Sequence, residues 1–216
     1  MSIPRKKNLV VLISGSGSNL QAFIDTVAQN TLPARIACVI SNIADVYGLQ
    51  RAQAAGIATQ VLPHKDFATR EDYDRALLSA VQQYKPDLVI LAGFMRILTP
   101  IFVAPLYGKL MNIHPSLLPK YPGLHTHQRA IDAKDTEAGA TVHFVSTELD
   151  GGPIIIQARV AIMPDDTTDT LAQRVLQQEH IIYPQAVRWF CEERLHCNEH
   201  HAILDGVTLP LTGAPL

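Results

Sequence analysis

The 216-residue sequence has few cysteines and no long apolar run. Cys38, Cys191 and Cys197 are odd in number and form no CxxC pair, which argues against a disulfide framework and a cysteine zinc site. No apolar stretch is long enough to cross a bilayer, and "NLVVLIS" near the N-terminus is too short for a signal-peptide core. These absences predict a cytoplasmic protein with no membrane partner.

The sequence also lacks an excess of either charge. Its formal net charge is -2, from 18 Lys and Arg against 20 Asp and Glu. Basic residues cluster only at Arg5, Lys6 and Lys7, which are too few for a phosphate-backbone surface. We therefore expect no nucleic-acid partner.

No internal repeat, low-complexity tract or linker divides the chain. The hydrophobic share of 47% and the length are sufficient for one substantial core. We therefore expect a single domain over residues 1–216, with a core over about 8–192 and a C-terminal hairpin or tail over about 193–216.

Strand-like and helix-like segments alternate, which predicts an α/β fold with a mostly parallel central sheet and helices on both faces. Ser18 or Asn19 stands where the first helix needs an N-cap. A tight "TELDGG" turn joins the last two strands of the sheet, so these should pair antiparallel near one edge. The predicted strands cover 8–14, 35–41, 57–62, 87–92, 109–114, 139–146 and 153–162.

The C-terminal part contains one long helical pattern, about 168–192, which Pro184 should kink or divide. After it, Asp205-Gly206 predicts a hairpin turn. The segment "HCNEHH" (196–201) is interpreted as an exposed hairpin strand. Metal binding by this segment is the weaker interpretation, because strand alternation places His196 and His200 on the face opposite Cys197, Glu199 and His201. The pair His125-x-His127 resembles a metal pair, but no cysteine or carboxylate cluster accompanies it, so a phosphate-facing or solvated loop histidine is the preferred interpretation.

Ligands of open α/β sheets bind outside the carboxyl ends of the parallel strands. Four unusual stretches are predicted at that edge, and their convergence is the main argument from the residues for a binding site. They are "SGSGSN" (14–19), "GFMR" (93–96), "NIHP" (112–115) and "ELDGG" (148–152).

The first of these stretches joins a strand to a helix, so its backbone N–H groups favour an anion. Leu20 replaces the third glycine of GxGxxG, and the second strand ends without a carboxylate, so a dinucleotide is disfavoured. The Lys-Ser/Thr of a P-loop is missing too. A monophosphate is the predicted ligand, and a simple tight turn is the alternative.

Asn112 and His114 lie two residues apart, on one face of the fifth strand. An amide NH₂ beside an imidazole can stabilise an oxyanion and move a proton. Asp150 should lie close to that strand end, where its carboxylate would orient the imidazole and favour its protonated form. Satisfied polar residues at a strand end, and an ordinary Asp-Gly-Gly turn, are the structural alternatives.

Taken together, the motifs resemble phosphoribosylglycinamide formyltransferases, the folate-dependent enzymes of purine biosynthesis. The resemblance covers about residues 8 to 210 and implies a Rossmann-like formyltransferase fold. It further implies transfer of the formyl group of 10-formyltetrahydrofolate, a co-substrate, to the amine of glycinamide ribonucleotide, with no metal. It is carried by "VLISGSGSNLQAFID", "DLVILAGFMRILTP", "NIHPSLLPKYPGLHTHQRAI", "TVHFVSTELDGGPII" and "QEHIIYP".

The resemblance also assigns roles to residues of this chain. The implied catalytic residues are Asn112, His114 and Asp150. The implied substrate-binding residues are Gly17, Ser18 and Asn19 for the phosphate and Glu179 for the ribose. The implied folate-binding residues are Arg70, Met95, Arg96, Ile97, Leu98, Asn112, Ser146, Thr147, Glu148, Leu149 and Asp150. Leu176 departs from the polar residue expected at its position, which affects one secondary substrate contact.

Three other functions share part of this pattern. A formyltetrahydrofolate hydrolase would share the catalytic residues but carry an additional N-terminal regulatory domain, and a methionyl-tRNA formyltransferase would carry a C-terminal tRNA-binding domain; the sequence pattern favours neither extension. A non-catalytic phosphate sensor would need only the glycine loop. The resemblance is compatible with a homodimer, but no sequence pattern indicates the oligomeric state.

Overall fold

The computed structural model describes residues 6–198 and 200–214. Arg5 of the basic cluster and Glu199 of the "HCNEHH" segment lie outside the described residues. The chain forms two compact units, residues 1–111 and residues 112–216. The single-domain organisation expected from the sequence stays a prediction.

The first unit contains four strands, β1 (Lys7–Ile13), β2 (Ala34–Ser41), β3 (Thr59–Val61) and β4 (Leu88–Leu91). They pair in parallel in the order β3-β2-β1-β4. The side chains of β4 are all buried, as are those of β1 after its first residue, which explains why both read as continuous apolar runs.

Helices connect these strands. They are α1 (Ser18–Ala28), α2 (Tyr47–Ala54), α3 (Arg70–Gln83) and α4 (Pro100–Val103), with short 3-10 helices at His64–Asp66 and Ala104–Leu106. The hydroxyl of Thr69 accepts a hydrogen bond from the Asp72 N–H and so caps α3. Pro100 occupies the first helical turn of α4, where its missing N–H costs no intrahelical bond.

The second unit continues from β5 (Leu110–His114), which begins in the last two residues of the first unit. It contains β6 (Glu137–Phe144) and β7 (Ile154–Ala161), which pair antiparallel as predicted. Its helices are α5 (Thr126–Asp132) and α6 (Thr168–Cys191), and α6 packs on both β6 and β7.

Pro184 does not divide the long helix, so that part of the prediction was wrong. The helix is continuous through Pro184, which is itself buried together with its neighbour Tyr183. Packing of the apolar face of α6 on β6 and β7 offsets the backbone hydrogen bond that a proline removes.

The C-terminal segment forms a second, antiparallel sheet of β8 (Leu195–Cys197), β9 (Ala202–Leu204) and β10 (Val207–Thr208). The predicted Asp205-Gly206 turn joins the last two of these strands. The expected strand over 196–201 was wrong beyond Cys197. There the Asn198 side chain accepts from the backbone N–H groups of His200 and His201 and bends the chain into a turn.

Among the described residues, no helix has the length and apolar character needed to cross a membrane. Within the same ranges, no group of three or more His, Cys, Asp or Glu side chains could hold a metal ion.

Candidate active site

Asn112 and His114 share one face at the carboxyl end of β5. His114 is 6% exposed, and Asn112 is half-buried. Both positions interrupt an otherwise apolar strand, since Met111 and Ile113 on the opposite face are buried in the core. The alternation therefore aims the amide and the imidazole to the same side.

The imidazole of His114 lies between two hydrogen-bond acceptors. Its Nε2 is 2.8 Å from the backbone carbonyl of Tyr121, so this nitrogen carries a proton and donates. Its Nδ1 lies 3.5 Å from Oδ2 of Asp150, and both side chains are almost fully buried. A neutral ring would turn a lone pair towards the carboxylate. A ring protonated on both nitrogens would present an N–H to each acceptor.

Asp150 is held in place by its backbone conformation and by a hydrogen bond from the loop that follows β5. It has a left-handed φ of 53°, and its Oδ2 accepts a hydrogen bond of 2.9 Å from the Gly123 N–H. The expected proximity of the "ELDGG" turn to the end of β5 is therefore observed within the second unit. The Asp-Gly-Gly sequence makes the turn, and the turn places the carboxylate beside the imidazole.

Asn112 has a partner that the sequence reasoning missed. Its Nδ2 lies 3.2 Å from Nε2 of His143, whose Nδ1 lies 2.9 Å from the carbonyl of Phe144. Because a carbonyl only accepts, Nδ1 of His143 carries the proton and Nε2 accepts from the Asn112 amide. Burial lowers the pKa of His143 to about 4, which keeps this arrangement neutral and leaves the second amide N–H of Asn112 for another acceptor.

The proline-rich loop after β5 is braced by buried hydrogen bonds. The hydroxyl of Thr141 donates to the Ser116 carbonyl at 2.6 Å and accepts from the Leu118 N–H at 3.1 Å. The Ser116 hydroxyl donates to the Lys120 carbonyl at 2.6 Å, so it serves the loop structure. These bonds fix the path of the loop that carries the Tyr121 carbonyl to His114.

The histidine pair of α5 is not a matched pair of ligands. His125 is exposed and has a left-handed φ of 59°, whereas His127 is half-buried. Burial, and next the nearby His114, lower the pKa of His127. The two rings therefore lie in different environments.

The turn after β6 lines a cavity of about 470 Å³ in the second unit. Its walls include Ser146, Thr147, Glu148 and Asp150, together with residues of the C-terminal segment. Leu149 of the same turn is 56% exposed. The C-terminal segment is tied to the strand that follows this turn, because the Ala214 N–H donates to the Ile155 carbonyl at 2.7 Å.

The glycine loop in the first unit ends in an uncapped helix. The N-cap of α1 is Gly17, with a left-handed φ of 70° and no side-chain cap. Ser18 and Asn19 are the first two helical residues, so the expectation that one of them caps the helix was wrong. A side-chain cap would occupy the first-turn N–H groups, and a glycine there leaves room for an anion instead.

Gly17 packs against a second glycine that the sequence reasoning did not select. A Cβ at Gly17 would lie 2.7 Å from Cα of Gly48, and the Gly48 N–H donates to the Gly15 carbonyl at 3.1 Å. Arg51 adds support, because its Nε donates to the Ser16 carbonyl at 2.9 Å. The start of α2 thus holds the loop in shape.

The "GFMR" stretch lies beside the glycine loop, since the Ser14 N–H donates to the Gly93 carbonyl at 3.1 Å. Met95 and Ile97 are 66% and 56% exposed although both are apolar. The stretch is anchored behind these residues by the buried Asp74, which accepts a hydrogen bond from the Thr99 N–H.

Two ionisable side chains lie in or beside this stretch: Asp74 is buried, and Arg96 is half-buried. Burial raises the pKa of the Asp74 carboxyl, against the opposing effects of the Thr99 hydrogen bonds and of Arg96. Nε of Arg96 is buried and has no hydrogen-bond partner among the described residues. Leu98, which follows Ile97, is half-buried.

The remaining candidates lie on helices. Arg70 is exposed at the first position of α3. Glu179 is 7% exposed on α6, among mostly apolar buried residues of that helix.

Little in the sequence indicates His143 and Gly48. His143 is a polar residue inside the apolar strand "TVHFV", which is a detectable but common signal. Gly48 is an ordinary helix residue until its contact with Gly17 is known.

The chain is similar to known proteins over most of its length. A family model described as formyl transferase matches residues 7–187. The chain is 54% identical to phosphoribosylglycinamide formyltransferase from Escherichia coli over 95% of this chain and 97% of that protein. It is 50% identical to the protein of the same name from Haemophilus influenzae, over 96% and 98% of the two chains.

Solved structures agree. A phosphoribosylglycinamide formyltransferase from Coxiella burnetii superposes with a TM-score of 0.92 at 50% identity, covering 96% of this chain and 98% of that one. Glycinamide ribonucleotide transformylase 1 from Symbiobacterium toebii superposes with a TM-score of 0.91 at 42% identity, covering 94% and 95%. The α/β fold class predicted from the sequence is confirmed.

Proposed function

The chain belongs to the formyl transferase family, and from this we infer that it transfers a formyl group to the amine of glycinamide ribonucleotide in purine biosynthesis. The relatives that carry this activity in their names match the chain over nearly its whole length. We take 10-formyltetrahydrofolate as the formyl donor. Both proposed substrates are small molecules, and the cytoplasm is the expected compartment.

The observation that carries the proposal is the placement of His114 between the Tyr121 carbonyl and Asp150. When the substrate amine attacks the formyl carbon, the formyl oxygen becomes an oxyanion. The second amide N–H of Asn112 donates to that oxygen, and the imidazolium of His114 adds a positive charge nearby. His143 keeps the amide turned the right way, since it accepts the other N–H.

Asp150 has two tasks in this mechanism. Its carboxylate stabilises the imidazolium, and through a water molecule it takes the proton that the attacking amine must lose. The same proton reaches the folate nitrogen when the carbon–nitrogen bond to the donor breaks. The balance is closed, because the amine loses one proton and the departing folate gains one.

The substrate phosphate is assigned to Gly17, Ser18 and Asn19. The uncapped N-terminus of α1 and the left-handed glycine support this assignment. Glu179 is assigned to the ribose hydroxyls, for which a carboxylate is a suitable acceptor.

The folate is assigned to the exposed apolar side chains and to two arginines. Met95 and Ile97 in the first unit, and Leu149 in the second unit, are each more than half exposed, and exposed apolar side chains are common on ligand-binding surfaces. Arg96 and Arg70 suit the carboxylates of the folate tail. The other assigned folate-binding residues are Leu98, Asn112, Ser146, Thr147, Glu148 and Asp150.

Asp150→Asn tests this mechanism. The side chains are nearly equal in size, so both ligands should still bind, while the charge that favours the imidazolium is lost. We expect kcat to fall by at least about 100-fold with little change in KM.

The control is Asp135→Asn, which removes a carboxylate that pairs with Lys120 and Tyr121 in the same unit. That variant should keep the wild-type kcat. An Asp150→Asn protein with wild-type kcat would remove Asp150 from the mechanism.

A further inference from the structure

Ser14 is bonded to the "GFMR" stretch through both its backbone and its side chain. Its N–H donates to the Gly93 carbonyl at 3.1 Å, and its hydroxyl oxygen accepts from the Met95 N–H at 2.8 Å. Ser14 is also the first residue of the glycine loop, "SGSGSN" (14–19). It is 8% exposed, so these bonds form away from bulk water.

The hydroxyl proton of Ser14 extends the contact to a third strand. It is donated to Oδ1 of Asn42 at 2.6 Å. Asn42 follows β2 and is 3% exposed. Since its oxygen faces Ser14, its Nδ2 faces Nδ1 of His64, at 3.1 Å. The amide of Asn42 is thereby fixed in one orientation.

This chain of bonds leaves the Ser14 hydroxyl little freedom. It accepts from one backbone N–H and donates to a buried amide, so its rotation would break both bonds. A shift of the glycine loop at its first residue therefore moves the acceptor of Met95, and a shift of Met95 pulls on the loop. The two segments are joined at one side chain.

The two segments bind different substrates under the proposed function, on which this inference rests. The glycine loop receives the phosphate of the ribonucleotide, and Met95 to Leu98 receive the folate. We propose that Ser14, held by Asn42, is a positioning residue that couples the binding of the two substrates. A ligand that fixes the position of one segment then constrains the other segment through Ser14, and the effect on the two affinities is reciprocal.

The test measures binding with and without the second ligand. Calorimetry gives the Kd of glycinamide ribonucleotide alone and in the presence of saturating 5,8-dideazafolate, which has no formyl group to transfer. The reverse titration gives the same ratio if the coupling is thermodynamic. We expect the wild-type ratio to lie within about 5–150-fold, the usual range of coupling between sites.

Ser14→Ala removes the hydroxyl and keeps the backbone N–H to Gly93. We expect its coupling ratio to fall close to one, and the KM of both substrates to rise. The matched control is Ser41→Ala, because Ser41 is also buried, and its hydroxyl donates to the Ile43 carbonyl and accepts from the Ile43 N–H in its own turn. That control should keep the wild-type ratio.

Asn42→Ala provides a second variant, in which Ser14 stays but its acceptor is gone. It should lower the ratio as well, and thermal unfolding shows whether each variant is folded. Wild-type coupling in both folded variants, or no coupling in the wild type, would overturn the inference. Failure of the proposed function is distinguishable from either result, since the wild-type protein would then bind neither ligand or catalyse no transfer.

Discussion

Single residues determine whether Asn112 can act on an oxyanion. Its amide is oriented by His143, and His143 is oriented by the Phe144 carbonyl. Replacing Asn112 with Ala removes the proposed donor without a change in the buried strand face. Loss of one such donor typically costs about 100- to 1,000-fold in kcat.

We therefore expect Asn112→Ala to show that loss in kcat, with an unchanged Kd for glycinamide ribonucleotide. The melting temperature should fall slightly, because the buried Nε2 of His143 loses its donor. The comparison of kcat with thermal stability is the measurement. Near-wild-type turnover in a normally stable variant would assign the oxyanion to another donor.

The lowered pKa of His143 predicts how the free energy of unfolding depends on pH. Burial lowers this pKa from 6.5 to about 4, so the unfolded chain binds the proton first as the pH falls. Stability is therefore lost between pH 6.5 and about 4. Between pH 7 and pH 4.5 the loss from this residue should be about 2 kcal/mol in the free energy of unfolding.

Urea unfolding at both pH values checks this, with His143→Gln as the comparison. Gln can still accept from Asn112 but does not titrate, so its stability should fall less over the same interval. Contributions from His127 and the other histidines are present in both proteins and cancel. Equal pH dependence in the two proteins would show that His143 is not buried in the neutral form.

The glycine loop with the start of α1 is the structural element to which we assign phosphate binding. Gly17 has a left-handed φ, and a Cβ there would meet Cα of Gly48 at 2.7 Å. Backbone strain of this kind is worth about 1–3 kcal/mol. We expect Gly17→Ala to raise the Kd of glycinamide ribonucleotide about 5- to 100-fold and to leave the Kd of the folate analogue alone unchanged.

The matched control lies two residues away. Gly15→Ala introduces the same methyl group, but nothing lies within 4 Å of its Cβ, so the Kd for the ribonucleotide should stay within about twofold of wild type. Equal losses in both variants, or an equal loss of folate affinity in Gly17→Ala, would count against the phosphate assignment.

Elements also show where sequence reasoning succeeds and where it stops. The two-residue spacing of Asn112 and His114 predicted their shared face, because strand periodicity is local. The cap of α1 was assigned wrongly because Ser18 and Asn19 are better caps by propensity than Gly17. The close approach of Gly48 to Gly17 decides that position, and local propensity does not contain it.

The remaining omissions in the site have the same cause at longer range. The Tyr121 carbonyl that meets His114 belongs to an irregular loop, whose path depends on hydrogen bonds from Thr141 in another strand. His143 becomes part of the proposed site only because its ring nitrogen pairs with the Asn112 amide. Such contacts are set by tertiary packing, so the residue types were predictable but their partners were not.

At the scale of the whole molecule, relatives that match nearly the full chain show the family and the fold. The proposed chemistry must in addition distinguish an amine from water as the acceptor of the formyl group. The catalytic residues Asn112, His114 and Asp150 would also serve a hydrolase. The phosphate loop and Glu179 are what would favour the ribonucleotide amine over water.

The fate of the formyl group tests this claim directly. Purified protein is given 10-formyltetrahydrofolate labelled in the formyl carbon, with and without glycinamide ribonucleotide, and the label is followed into formyl ribonucleotide and into formate. We predict that turnover requires the ribonucleotide, that nearly all of the label enters it, and that formate forms only slowly in its absence. Rapid formate release without the amine would contradict the transferase account.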